Sequence, residues 1–182
     1  MRVIAGRFKG RRLKAPSWEG LRPTSDKLRE TLFNILAPRI EGARVLDGFA
    51  GTGALGLEAL SRGASHVTFI ETDRRAAALI ADNLAICGVR DGYTIERGNL
   101  ATVLRGLPAD ATFDVVLLDP PYDAADIGPM LDAAAPHVAS GGVVVLERAT
   151  RREPDAPGSL TRTRDVRSGD STLTFFALVP GR

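Results

Sequence analysis

Apolar residues recur along this chain with two different periods. Short apolar runs such as 115–118 are typical of buried strands, whereas other segments repeat apolar residues every three or four positions, as helices do. Strands that alternate with helices indicate βαβ units and a parallel sheet covered by helices. We predict strands near 44–47, 66–71, 93–96, 114–119 and 142–147, and helices near 25–37, 54–62, 74–87, 100–106 and 125–138.

The last part of the chain follows a different pattern. Residues 160–166 and 172–179 have the composition of two strands, and the turn residues 168–170 join them into a hairpin. The predicted fold class is therefore α/β, a Rossmann-like and mostly parallel sheet with an antiparallel last strand. Pro38 is expected to end the first helix, because proline removes a backbone donor and clashes with the preceding turn.

Charge is distributed unevenly along the chain. Residues 1–44 hold eleven Lys/Arg against four Asp/Glu, whereas the remainder holds thirteen against eighteen. A basic block at one end indicates a polyanion partner, since neutralised phosphates release counterions, although a solvated tail is the alternative. Interleaved apolar residues with Gly6 and Gly10 favour a short β-hairpin with a basic face.

These features divide the chain into two parts. Residues 1–23 are predicted to be a basic β-hairpin arm with its linker, and residues 24–182 form the main domain. Trp18 is expected to pack the arm onto the domain. Arg22 and Arg29 are expected to line the substrate entrance. The residues expected to contact the phosphates of a nucleic acid are Arg2, Arg7, Lys9, Arg11, Arg12 and Lys14.

Composition excludes several classes of protein. No apolar run approaches the roughly 20 residues of a membrane span. The single cysteine, Cys87, excludes an internal disulfide and a cysteine metal site, and the two histidines are far apart in sequence. We therefore expect a cytoplasmic protein that binds neither metal nor membrane. A monomer is expected as well.

A glycine-rich turn follows the first strand. Gly51, Gly53 and Gly56 match the spacing of a dinucleotide-binding turn, so a nicotinamide enzyme is one interpretation. Asp47 argues against it, because a carboxylate there would face an anionic pyrophosphate but would favour a cationic sulfonium. Glu71 ends the second strand, at about the offset where an acid binds ribose hydroxyls.

The segment Asp119-Pro120-Pro121-Tyr122 follows the fourth strand. Two prolines fix φ and remove two donors, which leaves backbone carbonyls and the Asp119 carboxylate as acceptors beside a flat ring. Such a cluster suits the exocyclic amine of a planar base, although a proline-rich turn that only ends the strand is the alternative. Asn99, after the third strand, either bonds an adenine or caps the next helix.

All of these residues follow strands, where open α/β sheets bind ligands. The ordered set of Asp47, the glycine turn, Glu71, Asn99 and residues 119–122 resembles class I S-adenosylmethionine-dependent methyltransferases that modify exocyclic amines. Four longer stretches are more specific and resemble the RsmD family, the bacterial 16S rRNA guanine-N2 methyltransferases. They are residues 2–6, 10–13, 21–35 and 54–63.

The resemblance covers about residues 2–179 and implies a function. It implies a seven-stranded sheet, an RNA-binding hairpin, S-adenosylmethionine as methyl donor and a guanine N2 of 16S rRNA, on a 30S assembly particle, as acceptor. The implied catalytic residues are Asp119, Pro120, Pro121 and Tyr122. The implied cofactor-binding residues are Asp47, Phe49, Ala50, Gly51, Gly53, Glu71, Asn99 and Asp119.

Other functions are compatible with parts of this pattern. A DNA adenine-N6 or protein-glutamine methyltransferase can use a similar tetrapeptide, but no additional target-recognition region is expected in so short a chain. A nicotinamide oxidoreductase is disfavoured by Asp47. A non-catalytic RNA-binding assembly factor is disfavoured by the intact Asp47, Glu71 and Asp119.

Overall fold

The structure is a computed structural model that describes residues 1–18, 25–121, 127–154 and 157–179. Helices and strands alternate through most of these residues. The elements are α1 (Asp26–Ile40), β1 (Arg44–Asp47), α2 (Ala54–Ser61), β2 (His66–Glu71), α3 (Arg74–Cys87), β3 (Tyr93–Arg97), α4 (Leu100–Gly106), β4 (Phe113–Leu118), α5 (Gly128–Ala134), β5 (Val138–Ala149), β6 (Leu160–Ser168) and β7 (Ser171–Leu178).

Within the described residues, seven strands form one sheet in the order β3-β2-β1-β4-β5-β7-β6. Strands β1 to β5 pair in parallel, and β7 is antiparallel to both β5 and β6. The prediction of a mostly parallel sheet with a reversed last strand is confirmed. The strand order changes direction between β1 and β4, and open α/β sheets bind ligands at such a point.

The core has two layers, one on each face of the sheet. On one face α1, α2 and α3 bury apolar side chains such as Phe33 and Leu57 against β1 and β2. On the other face α4 and α5 bury Leu104 and Leu131 against β4 and β5. Central strands such as 115–118 are therefore apolar on both sides, which explains their continuous apolar sequence.

Several element bounds differ from the predictions. Helix α1 continues past Pro38 to Ile40, so the expected end at Pro38 is wrong. A proline in the last turn removes only one backbone bond, and two further residues bring Ile40 into the core, where it is 1% exposed. Strand β5 begins at Val138 rather than 142, because Val138 pairs with Phe113 before a register shift in which β5 has the additional residues.

The N-terminal segment, residues 1–18, packs against the helices instead of projecting from them. One antiparallel bridge joins Arg2 to Arg12, and Val3 and Leu13 enter the core. The buried carboxylate of Glu58 on α2 accepts hydrogen bonds from the backbone N–H groups of Ile4 and Ala5 at 2.8 and 3.0 Å. The predicted boundary at residue 23 lies outside the described residues.

Helix α2 packs directly on β2 at Gly56. A Cβ at this position would lie 2.2 Å from Cε1 of Phe69 and 2.8 Å from Cγ1 of Val67. Gly56→Ala should therefore lower the free energy of unfolding by roughly 1–3 kcal/mol through overpacking, measured by chemical denaturation. Gly106→Ala is the matched control, because a Cβ at that position would have no heavy atom within 4 Å. Equal stability of the two variants would contradict the close packing.

Candidate active site

The register of the sheet brings three carboxylates to one edge. Asp47, the last residue of β1, pairs with Phe69 of β2 and Leu117 of β4. Glu71 and Asp119 each lie two residues beyond those partners. Because adjacent strands are about 4.8 Å apart, the three residues line the carboxyl edge of the sheet in the order Glu71, Asp47, Asp119. The structure thus brings together the acids that the sequence singled out.

Asn99 extends this row by one strand. Arg97, two residues before Asn99, pairs with Glu71 in the register of β2 and β3. The Asn99 side chain is exposed, and its Oδ1 accepts a hydrogen bond from the Thr102 backbone at 2.9 Å. Asn99 therefore caps α4 in this structure, one of its two expected roles. Its contact with an adenine stays a prediction.

The glycine turn between β1 and α2 has backbone angles that favour glycine. Gly51 and Gly53 have φ of 53° and 79°, in the left-handed region. Gly53 N–H donates to the Ala50 carbonyl at 2.7 Å, and Ala50 N–H donates to Ile70 at 3.0 Å. Phe49 is half-buried and packs against the α4 face. These bonds hold the turn over the end of β2.

The Asp47 side chain caps the N-terminus of α2. Its side chain is 1% exposed, and Oδ2 accepts a hydrogen bond from Gly56 N–H at 2.9 Å. Gly53, the residue before the helix, has no side chain to cap it, so the Asp47 carboxylate fills the positive end of α2. Burial raises the pKa of Asp47 to about 7, with a smaller rise from the nearby Glu71 charge and an opposing effect of Gly56 N–H. A neighbouring cation would reverse this rise.

Glu71 holds the glycine turn from the side of β2. Its Oε2 accepts from Gly51 N–H at 2.8 Å, and its Oε1 accepts from Asp73 N–H at 2.8 Å. The carboxylate thereby joins the glycine turn to the start of α3. Glu71 is only half-buried, so its charge also faces the edge of the sheet where a ligand can bind.

The residues after β4 lead from the core to the surface. Asp119 is half-buried, Pro120 is buried and Pro121 is exposed. The chain therefore leaves the sheet within three residues, directly beside Asp47. Tyr122, predicted to stack on a base, lies outside the described residues.

The expected phosphate contacts lie on the N-terminal segment. The side chains of Arg2, Arg7, Lys9, Arg11, Arg12 and Lys14 belong to exposed residues there. Lys14 Nζ also pairs with Asp82 on α3 at 2.9 Å, and the Arg7 guanidinium lies 5.1 Å from the Phe8 ring centroid. Arg22 lies outside the described residues.

Arg29 does not line an entrance in this structure. It is 0% exposed, and its Nη2 donates to the Arg2 carbonyl at 2.6 Å and to Asp26 Oδ1 at 2.9 Å. The expectation of a substrate contact is wrong here, because the guanidinium has no exposed surface. Arg29 instead ties α1 to the N-terminal segment. Arginine is rarely buried, so the sequence did not suggest this role.

Two buried polar residues with important contacts were missed by sequence reasoning. Glu58, on α2, accepts from the N-terminal segment and also pairs with Arg62 Nε at 2.7 Å. Asn83, on α3, is 0% exposed and donates to the Thr52 carbonyl in the glycine turn at 2.9 Å. For Glu58 a signal was present, since an acid interrupts the otherwise apolar run 54–60.

The described part of the chain was compared with the patterns of metal sites and membrane-spanning helices. No group of three or more His, Cys, Asp or Glu side chains within it is arranged to hold a metal ion. None of its helices combines the length and the apolar character needed to cross a bilayer.

Comparisons with known proteins agree on one family. The family model described as conserved hypothetical protein 95 matches residues 1–177. Ribosomal RNA small subunit methyltransferase D of Haemophilus influenzae is 46% identical over 124 residues, 67% of this chain and 64% of that protein, so the chain spans less than two thirds of that relative. YlbH of Bacillus subtilis is 36% identical over 97% of this chain and 98% of its own length.

A solved structure extends the similarity to the fold. The structure of yhhF from Escherichia coli matches with a TM-score of 0.84 and 34% identity, and the match covers 97% of this chain and 96% of that one. Sequence and fold therefore agree over nearly the whole chain. The protein described here belongs to the RsmD family.

Proposed function

We propose that this protein transfers a methyl group from S-adenosylmethionine to the exocyclic N2 of a guanine in 16S rRNA. The observation that carries the proposal is the buried Asp47 carboxylate at the start of α2, in one row with Glu71 and Asp119. The name of the Haemophilus influenzae relative, which specifies small-subunit rRNA methylation, supports the same reaction.

The residues at the carboxyl edge fit S-adenosylmethionine. This cofactor has a cationic sulfonium and ammonium, and Asp47 and Glu71 supply two carboxylates whose mutual repulsion a cation would relieve. We assign the ribose hydroxyls to Glu71 and the surroundings of the adenine to Asn99 and Phe49. Gly51, Gly53 and Ala50 let the backbone approach the cofactor closely. When bound, the cofactor supplies an activated methyl group.

The same edge fits a nicotinamide dinucleotide poorly. Dinucleotide-binding turns place a pyrophosphate at the N-terminus of the following helix. Here the Asp47 carboxylate accepts from Gly56 N–H in that first turn, so an anionic group would meet a buried acid. This contact favours a methyltransferase over the oxidoreductase alternative.

Asp119 and Pro120 are assigned to the acceptor base. Guanine N2 is a weak nucleophile because its lone pair is delocalised into the ring. In the proposal, the Asp119 carboxylate and the Pro120 carbonyl accept the two N–H groups of this amine and orient its lone pair, so catalysis is mainly positioning. The guanine has to leave its stack to reach them, and Tyr122 is assigned to stack on it.

The partner is proposed to be 16S rRNA within a 30S assembly particle. The exposed basic residues of the N-terminal segment support an RNA partner, since phosphate contacts supply much of the affinity for nucleic acids. The assembly particle is proposed from the family resemblance, and a monomeric enzyme is proposed as well.

Methyl transfer and the role of Asp119 can be tested in one assay. The protein is incubated with labelled S-adenosylmethionine and with 16S rRNA, 30S particles or duplex DNA, and the modified nucleoside is identified by mass spectrometry. We expect N2-methylguanosine from the ribosomal substrates. Asp119→Ala should reduce the rate by about a hundredfold or more, because the amine loses an acceptor, while cofactor affinity stays within a few-fold.

Asp110→Ala is the matched control, since Asp110 is an exposed acid before the opposite end of β4. It should keep full activity. N6-methyladenosine in DNA would instead support the DNA methyltransferase alternative, and wild-type activity of Asp119→Ala would refute the acceptor role.

Asp47 should make stability and cofactor affinity depend on pH in opposite directions. Its pKa rises from 3.8 to about 7 on folding, so the folded state holds a proton that the unfolded state releases between these values. The cofactor-free protein should lose stability as pH rises through this window, by up to roughly 4 kcal/mol. Affinity for S-adenosylmethionine should rise over the same window, because the ionised carboxylate binds the cation.

Asp47→Asn separates the two effects, since its side-chain oxygen can still accept from Gly56 N–H. Thermal unfolding and calorimetric titration should show a variant more stable than wild type at about pH 8, of similar stability at about pH 4, and with cofactor affinity reduced at least tenfold at about pH 8. Identical pH profiles for wild type and Asp47→Asn would contradict the raised pKa.

The basic face of the N-terminal segment should set the salt dependence of RNA binding. Lys9 and Arg12 are exposed residues. The double variant Lys9→Ala/Arg12→Ala should bind rRNA more weakly, and the slope of log affinity against log salt should fall by roughly 0.7–0.9 per lost phosphate contact. Arg105→Ala, on α4 at the other face of the sheet, is the control. Unchanged slopes in a filter-binding assay would exclude this surface as the RNA contact.

A further inference from the structure

We propose that Asn83 is a positioning residue for cofactor binding, and that it makes the N-terminal segment a structural part of the cofactor site. The proposal rests on the proposed function, because it concerns the glycine turn assigned to S-adenosylmethionine. It also gives the segment a second role besides RNA binding.

Asn83 connects two backbones that are distant in sequence. Its Oδ1 accepts from Lys14 N–H at 2.7 Å, while its Nδ2 donates to the Lys14 carbonyl at 3.3 Å and to the Thr52 carbonyl at 2.9 Å. These three partners fix the orientation of the Asn83 amide. The Lys14 N–H needs an acceptor and so faces Oδ1, and the two carbonyls need a donor and so face the Nδ2 amine. The side chain is 0% exposed, so losing its partners would carry a desolvation penalty.

Thr52 is the residue of the glycine turn that needs such support. It lies between Gly51 and Gly53, both at positive φ, and glycine gives the backbone the widest choice of conformations. On the β2 side, Glu71 accepts a hydrogen bond from Gly51 N–H. On the α3 side, Asn83 donates one to the Thr52 carbonyl. The two side chains together fix the turn in the conformation that would contact the cofactor.

The N-terminal segment fixes Asn83 in turn. Leu13 is anchored in the core, and this anchor holds the neighbouring Lys14 backbone over Asn83. The ion pair between Lys14 Nζ and Asp82 on α3 is exposed and contributes little. Trp18 makes a second connection to the cofactor side of the sheet. The Arg75 guanidinium lies 4.8 Å from the centre of its ring and also pairs with Asp73 at 2.7 Å.

Asp73 in turn donates its N–H to Glu71. The segment therefore supports both sides of the proposed cofactor site, the glycine turn through Asn83 and Glu71 through Arg75. A loss of the Asn83 contacts should weaken cofactor binding without removing any residue that touches the cofactor, the acceptor base or the RNA.

The test compares Asn83→Ala with Asp82→Ala in the full chain. Asn83→Ala should raise the Kd for S-adenosylhomocysteine, measured by calorimetry, by roughly three- to tenfold, the effect of about one buried hydrogen bond. It should raise KM for S-adenosylmethionine with little change in kcat, and leave the rRNA Kd within about twofold, because Asp119 and the basic residues are untouched. Asp82→Ala removes only the exposed ion pair and should behave as wild type.

A second pair of variants applies if Asn83→Ala fails to fold. Lys14→Pro removes the backbone N–H that donates a hydrogen bond to Asn83 Oδ1. Lys14→Ala keeps this N–H and removes only the ammonium group that pairs with Asp82. We expect weaker S-adenosylhomocysteine binding for Lys14→Pro alone.

Two results would overturn the positioning role. They are wild-type affinity for S-adenosylhomocysteine in folded Asn83→Ala, and equal affinity in Lys14→Pro and Lys14→Ala. Failure of the proposed function would look different, because the wild-type protein itself would then not bind S-adenosylhomocysteine.

Discussion

The hydrogen bond from Gly56 N–H to the buried Asp47 carboxylate is the contact around which the site is built. It requires β1 to end inside the core, so that its last residue is 1% exposed, and it requires α2 to start directly above that residue. Gly56 allows α2 to lie close to β2, and positive φ at Gly51 and Gly53 returns the chain to the helix start. The result is an acid at the positive end of a helix, where many related turns bind an anion.

The N-terminal segment depends on the same helices. Its backbone is bound by Glu58 of α2 and Asn83 of α3, and its carbonyl at Arg2 is bound by Arg29 of α1. All three side chains are 0% exposed, so the hydrogen bonds that they make are to partners within the protein. A basic block that the sequence presents as an arm is therefore held firmly on one face of the sheet, and its charges are displayed from a fixed backbone.

The sequence predicted those parts of the fold that depend on local pattern. The period of apolar residues identified the strands. Acids at the ends of β1 and β2 and directly after β4 predicted the row of carboxylates, because parallel strands end at one edge. Tertiary contacts escaped this reasoning. The end of α1 was missed because the burial of Ile40 outweighs the proline. The role of Arg29 was predicted wrongly and Asn83 was missed, because their partners lie 27 and 69 residues away. Glu58 was missed too, although an acid in an apolar run is a signal that could have identified it as a buried anchor.

The placement of the two proposed sites constrains the RNA. The N-terminal segment contacts α1, α2 and α3, which cover one face of the sheet, whereas Asp119 lies at the carboxyl edge beyond β4. In the proposed function, an RNA bound by the segment therefore continues from that face around the edge to bring a guanine to Asp119. A folded RNA that presents an unpaired base at a fixed distance from its backbone would contact both proposed sites at once, whereas an extended single strand would not. Recognition of that kind reads shape more than sequence, which is the usual basis of selectivity for structured RNA.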